Sequence, residues 1–276
     1  MNNNTLTFIY KYCNIQKNKT EYMKILVMFP DYKGQVITGP VGEKLLELQK
    51  NSKHEISFLS ILNGGEKEEM EKILNLPTHP FFHKTFCKEK GLTHALLHGY
   101  AWVMENRLNQ EHIVVRFDPD EHPIEDIEYI ARVTNIQNYG RPTISVWEFK
   151  LDKEIASEAE ILVNENIFPH MYKTYTDGKV SLTNTHGFQC FAPGTISKIL
   201  PFAKKIVEST EEYTGETLMW GMDAIMILSA AYSPDYLRIV KRKIRPEKIR
   251  DRPIAKIGKQ IENHALLLMI GRKILK

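Results

Sequence analysis

Runs of apolar residues alternate along the chain with segments in which apolar positions recur every three or four residues. "MKILVMFP", from Met23, is a continuous apolar run closed by Pro30 and predicts a buried strand. "DYKGQVITGP" follows as a Gly-rich loop, and "VGEKLLELQKN" then sets Val41, Leu45 and Leu48 on one helical face. "HEISFLSIL" predicts a second strand ended by the turn "NGG", and "KEEMEKILN" a short helix. "LTHALLHGYAWVMENRL" is a longer helix, with Leu92, Ala95, Leu96, Gly99 and Val103 to one side. The strand "HIVVRF", the helix "PIEDIEYIARVTN" and the strand "TISVWEFKL" come next. Residues 152–185 carry a weaker pattern, which suits a helix and then a hairpin around Asp177-Gly178. "THGFQCFAP" predicts a short strand, and "GTISKILPFAKKIVEST" a helix that Pro201 would kink or divide. "MWGMDAIMILSAAYS" is an apolar helix with one acid, Asp223; "LRIVKRKIR" is a basic strand, and a terminal amphipathic helix ends the chain. Strands alternating with helices predict an α/β domain with a mostly parallel central sheet flanked by helices. Such sheets bind ligands at the carboxyl ends of their strands.

Composition narrows the class. At 276 residues and 42% hydrophobic, the chain has material for a sizeable core. Cys13, Cys87 and Cys190 are scattered without a CxxC, which argues against a disulfide framework or a zinc site and for a reducing, cytoplasmic setting. No apolar run approaches the roughly 18 residues of a spanning helix. Residues 1–22 lack the apolar core and cleavage site of a signal peptide and read as an extension. Residues 23–252 read as the main domain and 253–276 as a basic amphipathic helix. From Arg238 onward there are thirteen Lys/Arg against three Asp/Glu, which leaves 24 against 31 of the totals of 37 and 34 for the rest. A basic tail suits phosphates. Lys241, Arg242, Lys243, Arg245, Arg250 and Arg252 are its candidates.

The densest chemistry lies in "EHIVVRFDPDEHPIEDIEYI", where a buried strand ends in Asp118 and Asp120. Carboxylates at i and i+2 on a strand-end turn can share one hard cation, and Mg²⁺ or Mn²⁺ held there keeps sites open for phosphates. The plainer alternative is a solvated acidic loop. An EF-hand is excluded, because the sixth position is Pro123 and the twelfth is Tyr129. Glu125 and Asp126 fall in a helix's first turn, where they complement its dipole. His79, His83, His94 and His98 form a second cluster. The i, i+4 spacing of its last pair can bind zinc, but no H-E-x-x-H is present.

"VVRFDPDEHPIEDIEYI" resembles the metal-binding segment of inverting family-two glycosyltransferases with the GT-A fold, in particular the branch of dolichyl-phosphate mannose synthase. "KGLTHALLHGYAWV" resembles that family's K-G-x-x-x-A-L-x-x-G helix through Lys90, Gly91, Ala95, Leu96 and Gly99. "HGFQCFAPGTISKIL" resembles its acceptor-side strand and helix, and "WGMDAIMILSAAYSPDYLRIVKRKI" its acid-bearing helix before a strand. The likeness spans most of Met23 to about Arg252. Two stretches depart from it. "PDYKG" keeps only Pro30 and Tyr32 of P-x-Y/F-N-E, and "LNGG" replaces D-D-G-S, so Leu62 stands where the family has a base-binding acid.

The resemblance implies a GT-A (nucleotide-diphospho-sugar transferase) fold and metal-dependent transfer of a hexose from a nucleotide-diphosphate sugar, with inversion. Asp118 and Asp120 would hold Mg²⁺ or Mn²⁺, with Glu121 or His122 as a third contact. Pro30, Tyr32, Asn63, Lys90, Gly91 and Asp118 would line the donor site. Asp223 would be the general base, or only a helix-start acid. Trp220 would stack on a sugar ring or belong to the core, and His186 would approach the metal. The acceptor is open, lipid-linked or soluble. In the terminal helix Ile254, Ile257, Ile261, Ala265 and Leu268 share a face ringed by basic residues. That face would either touch a membrane surface or pack on the domain. No nucleic-acid partner is expected. A nucleotidyltransferase, or an inactive GT-A-like binding protein with a basic tail, is the alternative.

Overall fold

The computed structural model describes residues 22–77, 79–119, 124–138, 142–149, 151, 153–154, 156–182, 185–233, 238–244 and 253–276. Seven strands form one sheet: β1 (Lys24–Tyr32), β2 (Glu55–Asn63), β3 (Phe82–Phe86), β4 (Ile113–Arg116), β5 (Thr143–Phe149), β6 (Thr185–Phe191) and β7 (Arg238–Ile244). Their order is β3-β2-β1-β4-β6-β5-β7. Only β6 runs antiparallel to its neighbours. The helices are α1 (Pro40–Asn51), α2 (Lys67–Asn75), α3 (Leu92–Glu105), α4 (Asp126–Asn138), α5 (Glu158–Leu162), α6 (Phe168–Tyr175), α7 (Thr195–Thr214), α8 (Met222–Tyr232) and α9 (Ile254–Leu275).

Both faces of the sheet are covered, which is why its strands read as nearly unbroken apolar runs. One face sets Leu26, Met28, Leu59, Ile61, Val114 and Phe191 under α3, α7 and α8. The other sets Val27, Phe29, Val115, Phe117, Trp147 and Phe188 with α1 and α4.

Several elements depart from the pattern. β1 runs two residues past Pro30, pairing Asp31 with Leu62 and Tyr32 with Asn63. The Met28 carbonyl accepts from the Phe117 N–H on the β4 side, where the ladder ends. Residues i and i+2 of a strand face the same neighbour, so Pro30 also faces that vacated side and its missing N–H costs no ladder bond. The edge strand β3 was not foreseen; "FHKTF" is half-buried throughout and mixes His and Lys with its aromatics. α7 passes through Pro201 without dividing. Pro201 removes one bond, toward Ser197, while buried Ile199, Leu200, Ala203, Ile206 and Val207 hold the helix to the core. Residues 158–175 are helical throughout, α5 and α6 being joined by a π-helical turn.

α9 packs on α6, α7 and α8. Ile257 and Leu268 are buried, Ile261 and Ala265 half-buried, and Ile254 is exposed. Arg272 and Lys276 close the helix onto Asp177, at 2.6 and 2.8 Å. Hydrogen bonds from Lys276 and the Tyr232 hydroxyl, with the Arg272 charge beside them, hold the Asp177 carboxyl down at about 2. The apolar side of the terminal helix is therefore spent on the domain. Among the described residues no helix is long and apolar enough to cross a membrane.

Candidate active site

At the carboxyl edge of the sheet, strand alternation puts Arg116 on the same face as Val114, beneath α3 and α8. Its guanidinium is 1% exposed, ion-paired with Asp223 and 3.5 Å from Asp118. A buried cation without a counter-charge costs several kcal/mol. Two carboxylates this close would in turn repel each other without it. Asp118 and Asp223 remain 22% and 21% exposed, so both open toward solvent while leaning on one buried charge. Gln189 lies directly opposite Arg116 on β6. Its amide donates to the Asp223 carbonyl at 3.2 Å and fixes the first turn of α8. Tyr100, on α3, completes the floor with its ring edge-on to Phe191. Burial raises its phenol pKa; Arg116 opposes the shift and Asp118 adds to it. Asp118 and Asp223, named from separate stretches of sequence, thus meet around a residue that sequence reading passed over. The signal was present: a lone Arg inside "HIVVRF" is a charge inside a buried strand.

Beside this centre lie the tips of β1 and β2. Tyr32 is exposed, with its ring against Gly64, and Lys33 donates its backbone N–H to the Asn63 carbonyl. Pro30, Tyr32 and Asn63 are therefore neighbours. Asp31 is a second residue missed from sequence. It is fully buried and accepts from the N–H groups of Val36 and Ile37 at 2.8 and 3.2 Å and from the Ser60 hydroxyl at 2.8 Å. Burial raises its pKa above the ordinary value, and the three hydrogen bonds work against that shift. The remaining N–H groups of the loop from Lys33 to Gly39 donate to backbone carbonyls of Asp31, Tyr32, Gly34, Val36 and Asn63.

Gly91 caps the start of α3 at φ +105°, a conformation that favours glycine, and a β-carbon there would come within 3.1 Å of the Met219 α-carbon. The Thr93 N–H donates to the Met219 carbonyl at 3.3 Å. Lys90, next to it, is exposed. His94 Nε2 lies 2.6 Å from Glu211 Oε1, which also accepts the Leu218 N–H at 2.7 Å. The four histidines do not converge. His98 bonds Thr85 at 2.7 Å, His83 packs on Trp102 and His79 stacks on Phe81. Among the described residues no group of three metal-ligating side chains forms. Asp120, Glu121 and His122 lie outside the described residues, as do Arg245, Arg250 and Arg252. The backbones of His186, Lys241, Arg242 and Lys243 are placed in β6 and β7. Trp220 is 57% exposed and so does not belong to the core.

No protein-family model matches the chain, and no curated protein sequence does. Among solved structures, mannosyl-3-phosphoglycerate synthase from Rubrobacter xylanophilus is similar at TM-score 0.55 and 9% identity, over 90% of this chain and 73% of that one. The chain has the GT-A fold. Glucosyl-3-phosphoglycerate synthase from Mycobacterium tuberculosis, in complex with phosphoglyceric acid, is similar at TM-score 0.43 and 14% identity, over 90% and 80% of the two chains. At such identities the likeness concerns the fold, and the GT-A assignment rests on the first of the two.

Proposed function

We propose that this GT-A chain is a divalent-cation-dependent, inverting glycosyltransferase that moves a hexose from a nucleotide-diphosphate sugar to an acceptor hydroxyl. The observation that carries this reading is the convergence of Asp118 and Asp223 on Arg116 at the carboxyl edge, next to the Tyr32–Asn63 tips. Asp118 offers hard, partly exposed carboxylate oxygens and fits Mg²⁺ or Mn²⁺, which it would hold with Asp120 and His122. A cation held there would supply counter-charge for the departing nucleoside diphosphate. Asp223 accepts the acceptor hydroxyl's proton. Arg116 and Gln189 fix the direction of that carboxylate and of the turn that bears it. Pro30, Tyr32, Asn63, Lys90 and Gly91 line the donor side. The motif likeness to the dolichyl-phosphate mannose synthase branch, and the mannosyl transfer in the name of the fold neighbour, accord with a hexose as cargo.

The nucleotidyltransferase alternative needs a Gly-rich loop whose N–H groups cradle phosphate. Here those N–H groups, from Lys33 to Gly39, are already engaged inside the protein, two of them by Asp31. Packing of α9 on the domain removes the reason to favour a lipid-linked acceptor over a soluble one. The test is calorimetric titration with a panel of nucleotide sugars, with and without Mn²⁺. Binding that requires Mn²⁺ and is lost in Asp118→Asn is expected. Equal binding by wild type and Asp118→Asn would overturn the metal role, and no binding of any nucleotide sugar would overturn the donor.

A further inference from the structure

Trp220 is exposed, yet the loop that carries it is held at several points. At its start, the Leu218 N–H is bound by Glu211, which His94 also meets. The Met219 carbonyl accepts from the Thr93 N–H at the head of α3. At its end, Gly221 adopts φ +122° and is pressed against Leu267, so a side chain there would be strained as well as crowded. A large aromatic ring in water on a tethered loop gains little stability for the fold. It does present a flat apolar face at low conformational cost. Three residues on is Asp223, in the first turn of α8.

Resting on the transferase reading above, we infer that Trp220 is the acceptor platform and that the acceptor presents a carbohydrate ring. The indole packs on the C–H face of that ring and lays one hydroxyl toward Asp223. Donor stacking is the competing use of an indole. Place favours the acceptor, because Trp220 leads directly into the helix that bears Asp223, Tyr32 and Asn63 stand at the tips of β1 and β2, and Gly91, the donor-side residue that meets this loop, does so at Leu218 and Met219. A small ringless acid as acceptor would leave the indole without a function.

The experiment uses the full chain loaded with Mn²⁺ and a nucleoside diphosphate, titrated with methyl gluco-, manno- and galactopyranosides and, as a ringless control, 3-phosphoglycerate. Tryptophan fluorescence reports directly, because Trp147 is 1% exposed and Trp102 is packed by His83. Saturable quenching by at least one glycoside is expected. Trp220→Ala should abolish it and weaken that glycoside by ~10-fold or more, with Trp220→Phe in between. Both variants should melt with wild type, and nucleoside diphosphate affinity should stay within about twofold of it. The platform is overturned if loaded wild type binds no glycoside, if Trp220→Ala binds glycoside as wild type does, or if 3-phosphoglycerate alone depends on the indole. It is also overturned if Trp220→Ala weakens the intact nucleotide sugar in step with the glycoside while nucleoside diphosphate affinity is kept, which would assign the indole to the donor sugar. Absence of nucleoside diphosphate binding by wild type overturns the transferase reading itself, and the first titration alone detects it.

Discussion

Replacing Arg116 with Met removes the one buried positive charge between Asp118 and Asp223. At 3.5 Å and an effective dielectric near 20, the gross attraction of a single Arg–carboxylate pair is about 5 kcal/mol. Much of this is returned, because carboxylates about a fifth exposed regain water when the cation leaves. Breaking a buried pair by deleting one partner costs about 3–5 kcal/mol. The partial exposure of both acids places Arg116→Met near the lower end, at about 3 kcal/mol. For a chain of this size that is a melting shift of roughly 6–12 °C. Met preserves the bulk and the apolar stem contacts, so the loss reports the charge. Arg116→Lys should recover only part of it, since one ammonium cannot fork to two carboxylates. The double variant Arg116→Met/Asp223→Asn should be more stable than Arg116→Met alone, with a coupling of about 1–3 kcal/mol. Urea titrations of wild type, Arg116→Met, Arg116→Lys, Asp223→Asn and the double variant, metal-free and at low salt, measure this. A cost below about 1 kcal/mol for Arg116→Met, or a double variant no better than the single one, would refute a charge shared between the two acids.

Asp223→Asn is expected to lower kcat by about 10²–10⁴-fold while nucleotide-sugar affinity stays near wild type; full turnover would move the base elsewhere. Donor selectivity for the base is expected to be loose or non-uridine, because Leu62 is buried where the resembled family has a base-binding acid; exclusive UDP-sugar binding in calorimetry would contradict this. Asp31→Asn is expected to speed amide exchange at Val36 and Ile37, whose N–H groups the carboxylate accepts; unchanged protection would dismiss that tether. Burial raises the Asp31 pKa above 3.8 in the folded chain. Its proton-linked stability is thus present below that value and is lost as pH rises through the folded pKa. The stability difference, wild type minus Asp31→Asn, should fall with pH just above 3.8, and a flat or rising difference would reverse the sign.

The fold was legible because a sheet covered on both faces leaves a blunt imprint. β1, β2, β4 and β5 are nearly unbroken apolar runs, and the helices between them keep a three-to-four period. β3 left no such imprint. It pairs with only one neighbour, and each of its five residues is half-buried. Nothing in "FHKTF" repeats, so its strand state is set by pairing with β2 and not by its own pattern. The terminal helix is a different case. A basic amphipathic stripe looks the same whether its apolar side meets lipid or protein, and only the docking of α9 on α6, α7 and α8 decides between them.

Asp118 stood out at a strand end and Asp223 as the one acid of an apolar helix, and a resemblance in motif order suggested their roles; the chemistry that joins them came from neither. Arg116 sits in an apolar run, and a charge there demands counter-charges that local sequence supplies only in part. Asp118 is two residues away, while Asp223 arrives through β6 and α8, which no periodicity foretells. Asp31 is harder still, because it sits in register with Leu62, one strand over from the acid the family would use. It looks like a relocated base-binding carboxylate. Its burial and its bonds to Val36, Ile37 and Ser60 turn it inward. Both oxygens are engaged in closing the loop after β1, so the same residue type at the same level of the sheet shapes that loop instead of facing outward.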